Sequence, residues 1–284
     1  MAQSESAEPA KSTETVRPLI QDFTAYTLKA GQVKIGLVSS VGITDSIQID
    51  TDVFAASAGA ANLSVKTSVW SNNRHRLAVG LGMSYLSKKT ALWGNASELF
   101  DELEYKIFRP QMSWTQKISK RLLLHSFWST GIGPISVKLS DKGRKKLWES
   151  KYPDGDYDKQ TKSSSGTADD DANVESNNVV SHRTLQVQSL LGLSRDIIQV
   201  SGEFVRDSTK RVILTSRIDR TELEGLSSQG IRVTAGQEWQ IDSFFFRLGL
   251  GVLYQVLDGT DLDGEVIDDS GFTPIADLDF YWIF

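Results

Sequence analysis

Apolar and polar residues alternate with a period of two along most of this chain, from Gly31 to its end. Val33, Ile35 and Leu37 alternate with Lys34 and Gly36. Ile47, Ile49, Thr51 and Val53 alternate with Gln48, Asp50 and Asp52, and Leu63, Val65, Thr67 and Val69 with Ser64, Lys66 and Ser68. The pattern recurs from Leu77 to Tyr85, in Leu185 and Val187, in Ile198, Val200 and Phe204 against Glu203, and in Ile231, Val233 and Ala235 against Arg232 and Glu238. The longest run is Phe244 to Val256, with Arg247, Gly249 and Gly251 on the other parity. Successive side chains of a strand point to opposite faces, so each run predicts a strand with one apolar face.

The links between these runs come in two kinds. Gly42–Asp45, Asn72–His75, Ile118–Lys120, Ser194–Asp196 and Gln240–Ser243 are tight, whereas 55–61, 88–103, 135–183, 207–228 and 258–272 are long. Short and long links alternate in outer-membrane barrels, whose periplasmic turns are short and extracellular loops long. The pattern predicts an all-β chain folded as a transmembrane antiparallel up-and-down β-barrel of about twelve strands, within a range of about 10–14. An even count needs an ascending strand before Val33, and Leu19–Leu28 is the segment expected to supply it. Arg211–Ile218 is read as a strand extension or hairpin within the 207–228 loop, and a true spanning strand there would change the count by two. Tyr105, Ile107, Met112 and Trp114 put apolar groups on both parities around Pro110, which predicts a register-shifting bulge there.

A soluble barrel alternates too, with its apolar face inward. Three features favour the apolar face outward. Gly36, Gly80, Gly82, Gly249 and Gly251 all share the polar parity. The opposite parity stays large and aliphatic over about 9–11 residues, the span of a tilted membrane strand. Trp70, Tyr85, Trp128, Trp239, Phe244, Tyr254, Trp282 and Phe284 collect near strand ends, where interfacial aromatic girdles form.

Counting back by twos from Phe284 gives Trp282, Phe280, Leu278 and Ala276, with Asp279 and Asp277 between them. This stretch resembles the C-terminal signature of Gram-negative outer-membrane β-barrel proteins. The resemblance implies a barrel seated in the lipid bilayer of the bacterial outer membrane, with these five residues recognised by the barrel assembly machinery. The phrase Lys29-Ala30-Gly31-Gln32-Val33, continued by Gly42-Ile43-Thr44-Asp45-Ser46-Ile47, is similar to uncharacterised barrels related to proposed phenol-pathway outer-membrane channels. A barrel sent there needs a signal peptide. Met1–Val16 has no apolar run of the required length, so the signal is expected to have been removed ahead of this sequence.

Composition narrows the chemistry. The chain has 284 residues, net charge −5 and no cysteine, which excludes disulfides and thiolate metal sites. The mildly acidic balance argues against nucleic acid as a partner. Residues 1–18 are expected to form a disordered tail and 19–284 the barrel, with loop 135–183, basic at its start and acidic at Asp169–Asp171, outside the cell. His125-Ser126 are strand neighbours and face opposite ways, so they make no base–nucleophile pair. His75 and His182 have no ligand-spaced partner, and no metal or cofactor is expected.

The polar parity carries both signs. Lys34, Lys66, Arg232 and Arg247 share it with Asp50, Asp52, Glu203, Glu238, Asp277 and Asp279, which are expected to line the lumen. Twelve strands fall between a filled interior and an open aqueous channel. The leading expectation is a monomeric, porin-like transport channel for small polar or amphipathic solutes. A non-conducting structural or surface-interaction barrel is the alternative. An outer-membrane enzyme is disfavoured because no nucleophile constellation is evident.

Overall fold

The polar parity is interior in the computed structural model, and the apolar parity faces out. Lys34, Gln48, Lys66, Glu203 and Glu238 are 2% exposed or less, whereas Met83, Leu214, Leu250 and Leu278 are 52–71% exposed. Residues 23–87, 98–146, 191–260 and 266–284 are described, apart from positions 58, 99, 144, 208, 224 and 225. Twelve antiparallel strands close into a barrel. They are β1 (Val33–Gly36), β2 (Val38–Thr44), β3 (Ile47–Asp52), β4 (Ala61–Ser71), β5 (His75–Ser87) and β6 (Phe100–Lys117), then β7 (Leu122–Leu139), β8 (Leu191–Val205), β9 (Lys210–Leu223), β10 (Leu226–Ile241), β11 (Phe244–Thr260) and β12 (Val266–Ile283). A short helix, α1 (Val53–Ser57), follows β3, with Asp52 capping it through the Ala55 N–H at 3.0 Å. An even-stranded closed barrel, apolar outside and polar inside, is the outer-membrane architecture.

The strand list differs from the expected one at five places. Among the described residues no strand forms before Val33; Phe23–Leu28 runs inside the barrel, with Ala25 and Leu28 fully buried. The run beginning at Val33 is split, because β1 and β2 form a hairpin at Leu37 in which the Ser39 hydroxyl bonds both the N–H (3.3 Å) and the carbonyl (3.2 Å) of Gly36. Ser194–Asp196 is not a turn but lies within β8. The turn comes at Asp207–Thr209, where the N–H and hydroxyl of Thr209 hold the Asp207 carboxyl below the usual carboxylate range. Arg211–Ile218 belongs to a full strand, β9. No bulge forms at Pro110, and β5 and β6 stay in register from Ser87 opposite Glu104 to His75 opposite Gln116. Tyr105 and Ile107 are apolar on the inner parity because they face the lumen. Splitting the Val33 run and completing β9 each add a strand to the expected list, and the described residues hold twelve. Leu185, Val187 and His182, residues 1–18 and the acidic part of loop 135–183 lie outside the described residues.

The barrel closes on a short seam. Val33 and Phe284 exchange backbone hydrogen bonds of 3.1 and 2.9 Å, and β1 follows β12 only as far as Gly36 opposite Tyr281. Beyond Gly36, the β1-facing edge of β12 has no strand partner among the described residues. Ile283 donates to Ser243 beside β11 while Phe284 donates to β1, so amides alternate between the two edges. Pro274 shares the parity of Phe284. Its missing N–H therefore falls on the unpaired edge, where a strand proline costs no ladder bond.

Candidate functional site: a strapped lumen

A segment threaded through a barrel must leave its backbone groups bonded to the wall, because no sheet ladder receives them. Phe23–Leu28 is bonded to polar side chains of three strands, β3, β4 and β6, and to the backbone of a turn. The Leu28 N–H donates to Gln48 Oε1 at 2.8 Å, and the Ala25 N–H to Thr115 Oγ1 at 3.1 Å. The Thr27 hydroxyl donates to the Asp45 carbonyl at 2.8 Å, and Lys66 Nζ approaches the Thr24 carbonyl at 3.5 Å. The rings add to this: Phe23 meets Phe127 edge-on at 4.9 Å, and the Arg76 guanidinium lies 4.6 Å over Tyr26. This strap occupies the half of the lumen nearer the tight turns.

The wall behind the strap is a chain of buried polar groups. Thr115 Oγ1 lies 2.9 Å from His125 Nδ1, His125 Nε2 lies 3.1 Å from Glu203 Oε2, and Arg211 donates to Glu203 Oε1 at 3.2 Å. Hydroxyl, imidazole and carboxylate in this order match the components of a nucleophilic triad. Thr115, however, is 2% exposed and accepts the Ala25 N–H, so no substrate carbonyl reaches it in this arrangement. Ser126 faces away from His125, as strand geometry requires.

The ten residues expected to line the lumen take different places. Lys34 sits 4.8 Å over the Tyr281 ring, and Tyr281 donates to Glu238 at 3.2 Å. Lys66 and Glu203 hold the strap and its wall. Asp50 accepts from Gln48 and, at 3.4 Å, from Ser64. Arg247 reaches Asp277 at 3.2 Å and Asp279 at 3.6 Å. Arg232 lies beside this trio, its buried Nε without a hydrogen-bond partner. Asp52 is exposed at the rim, where it caps α1 and borders the larger cavity. Ala276, Leu278, Phe280, Trp282 and Phe284 all point outward, with Trp282 packed on Phe244 at 4.9 Å.

Two cavities flank Phe23. The smaller, about 110 Å³, lies against Lys34, Arg232, Arg247 and the β12 aspartates. The larger, about 410 Å³, lies on the α1 side of the strap and is lined by Asp50, Asp52, Tyr105, Arg109, Arg195 and Arg217 among others. Ligand pockets of about 300–1,000 Å³ are usual, so only the second has room for a small solute. Its three arginines were not among the residues expected to matter. Among the described residues, no group of His, Asp and Glu is placed to hold a metal ion.

No protein-family model matches the chain, and no curated protein matches it in sequence. Solved structures with a similar fold include the outer-membrane expressed OmpT of Vibrio cholerae, at 11% identity and a TM-score of 0.41 over 89% of this chain and 64% of that one. The in-vitro folded, trimeric form of OmpT gives 10% and 0.40 over 89% and 62%. LpxR from Salmonella typhimurium gives 9% and 0.32 over 78% and 88%. This chain spans less than two thirds of the length of either OmpT structure. The likeness is one of fold.

Proposed function

We propose that this protein is an outer-membrane β-barrel acting as a narrow, porin-like channel for small polar or amphipathic solutes, with the strap Phe23–Leu28 as its constriction. The observation that carries the reading is a polar cavity of about 410 Å³ bounded below by a segment that is bonded to the wall rather than woven into it. The four hydrogen bonds named above, at about 0.5–1.5 kcal/mol each, contribute roughly 2–6 kcal/mol to holding the strap. Ring packing adds to that sum, yet the whole stays small beside the ladders that hold the barrel. The strap is thus the part of the lumen that yields first. The bilayer is the surrounding partner, and the five outward residues of β12 are read as the surface that the assembly machinery engages.

Single-channel recording in planar bilayers tests this, comparing the full chain with a variant lacking residues 1–28. The full chain should conduct weakly or in brief openings, and the shortened one with a several-fold larger and steadier current. A second reading, a non-conducting structural barrel, draws on the buried run from Arg211 through Glu203 and His125 to Thr115. It replaces the first if the shortened barrel, shown to be folded, passes no current.

A further inference from the structure

Three guanidinium groups meet at the large cavity from three strands. Arg109 comes from β6, Arg195 from β8 and Arg217 from β9. Asp219 answers two of them, bonding Arg217 in bidentate fashion at 2.7 and 2.8 Å and reaching Arg195 at 3.6 Å. Arg109 has no ion pair among the described residues. Arg195 and Arg217 line the same cavity and repel it, and Asp52 is an opposing carboxylate in the lining. Arg109, Arg195, Arg217 and Asp219 stand on β6, β8 and β9, whereas Asp50 and Asp52 stand on β3, so the three guanidiniums gather on one side of the cavity with Asp219 as the carboxylate among them. A cation held away from bulk water needs a counter-charge or hydration.

The cavity also has an apolar floor. Phe23 and Phe127 meet edge-on at its base, Ile197 lies beside them, and Tyr105 stands on the wall. The bidentate bond to Asp219 uses the Nε and Nη2 hydrogens of Arg217, leaving Nη1 to donate elsewhere. The planar fork of a guanidinium matches a carboxylate, and two or three such forks around one cavity select that group over a point anion.

We propose that the cavity is a binding site for a small monocarboxylate with an apolar or aromatic body. The carboxylate is held by Arg109 and Arg195, with Arg217 closing the base, and the body rests on Phe23 and Phe127. This rests on the channel reading above and names its solute class, but the site is tested without any transport.

The probe is benzoate, with benzamide as its uncharged counterpart and chloride as a simple anion. Calorimetric titration into the full-length protein in detergent at low salt should show benzoate binding at least tenfold tighter than benzamide. Affinity should fall steeply with added salt, although chloride itself gives no comparable heat. Arg109→Gln and Arg195→Gln should each weaken benzoate by tenfold or more and leave benzamide unchanged. Arg195 is half-exposed, so its variant keeps the test alive if Arg109→Gln fails to fold. Equal binding of benzoate and benzamide, or a benzoate affinity indifferent to both variants, overturns the proposal. Heat from chloride equal to that from benzoate overturns it as well, leaving a nonspecific positive patch. A protein that binds benzoate but passes no current keeps the site and loses the channel; a conducting protein that ignores benzoate does the reverse.

Discussion

Arg247 reaches both aspartates of β12, so two carboxylates that sequence alone leaves facing open water are held by one guanidinium. All three side chains are less than a third exposed. Replacing Arg247 with Met should therefore destabilise the barrel by about 1.5–3 kcal/mol, the usual worth of a charged hydrogen bond. A urea titration of protein folded in lipid measures it, and an unchanged midpoint would mean that the lumen hydrates both aspartates freely. The glycines of the inner parity need a different account from the one their pattern invites. They read as leaving lumen space or letting inward groups pack, whereas a Cβ on Gly251 would meet the Val233 carbonyl and one on Gly249 would lie 3.0 Å from the Ala235 carbonyl and Gly236. These two are places where strand backbones crowd. Leu250→Arg, on the lipid face and 71% exposed, should cost about 2–4 kcal/mol at mid-membrane. Gly251→Ser should cost at least 1–3 kcal/mol by the overpacking it forces, rather than the little expected of a hydroxyl in water. The same titration ranks the two, and a neutral Gly251→Ser would mean that this glycine does leave lumen space.

Among the elements, β1 is the shortest and closes the barrel. The exchange between Val33 and Phe284 is one of few links across this seam. Deleting Phe284 removes both of those hydrogen bonds and an outward aromatic, so the variant should fail to reach a heat-modifiable, protease-resistant form in the outer-membrane fraction while still being synthesised. Normal assembly of that variant would show that Lys34–Gly36 pairing suffices. This element was also the hardest to see beforehand. Gly36, Leu37 and Val38 offer no polar turn residue, and apolar alternation reads straight through the hairpin because the bend is made by Ser39 on the Gly36 backbone. Strands that alternate cleanly, such as β4, β5 and β11, were legible with their faces assigned. The outward set of β12 was equally plain, since one strand face is sufficient to define it.

At the scale of the molecule, what escaped the sequence falls together in space. Arg109 adjoins Pro110, whose neighbourhood read as a bulge; Arg195 sat in a misread turn; Arg217 sat in a misread loop. Each was removed from the polar parity by a local misassignment, so their convergence on one cavity could not be counted. Inner residues contributed by many strands are a property of closure, which periodicity along one strand does not contain. The strap was missed for a related reason: Tyr26, Thr27 and Leu28 look like a weak strand because they are buried among polar walls. Its removal should leave the barrel itself intact. The groups it uncovers, Lys66, Gln48 and Thr115, gain water in an emptied lumen, which limits the cost of exposing them. A protein lacking residues 1–28 should still migrate as a compact, heat-modifiable species in unheated gels. Loss of that behaviour would make the strap part of the folding core rather than a constriction.

The unpaired edge of β12 has a consequence in time rather than in space. Amides of Phe280, Leu278 and Ala276 point toward the edge that β1 leaves bare, while those of Tyr281, Asp279 and Asp277 are engaged by β11. Within one strand, hydrogen–deuterium exchange should therefore run in two registers. Odd-numbered positions should be as slow as any in the barrel and even-numbered ones faster by orders of magnitude, with Pro274 silent in the fast series. Uniform protection along β12, read residue by residue by NMR, would reveal that another part of the chain lies along that edge.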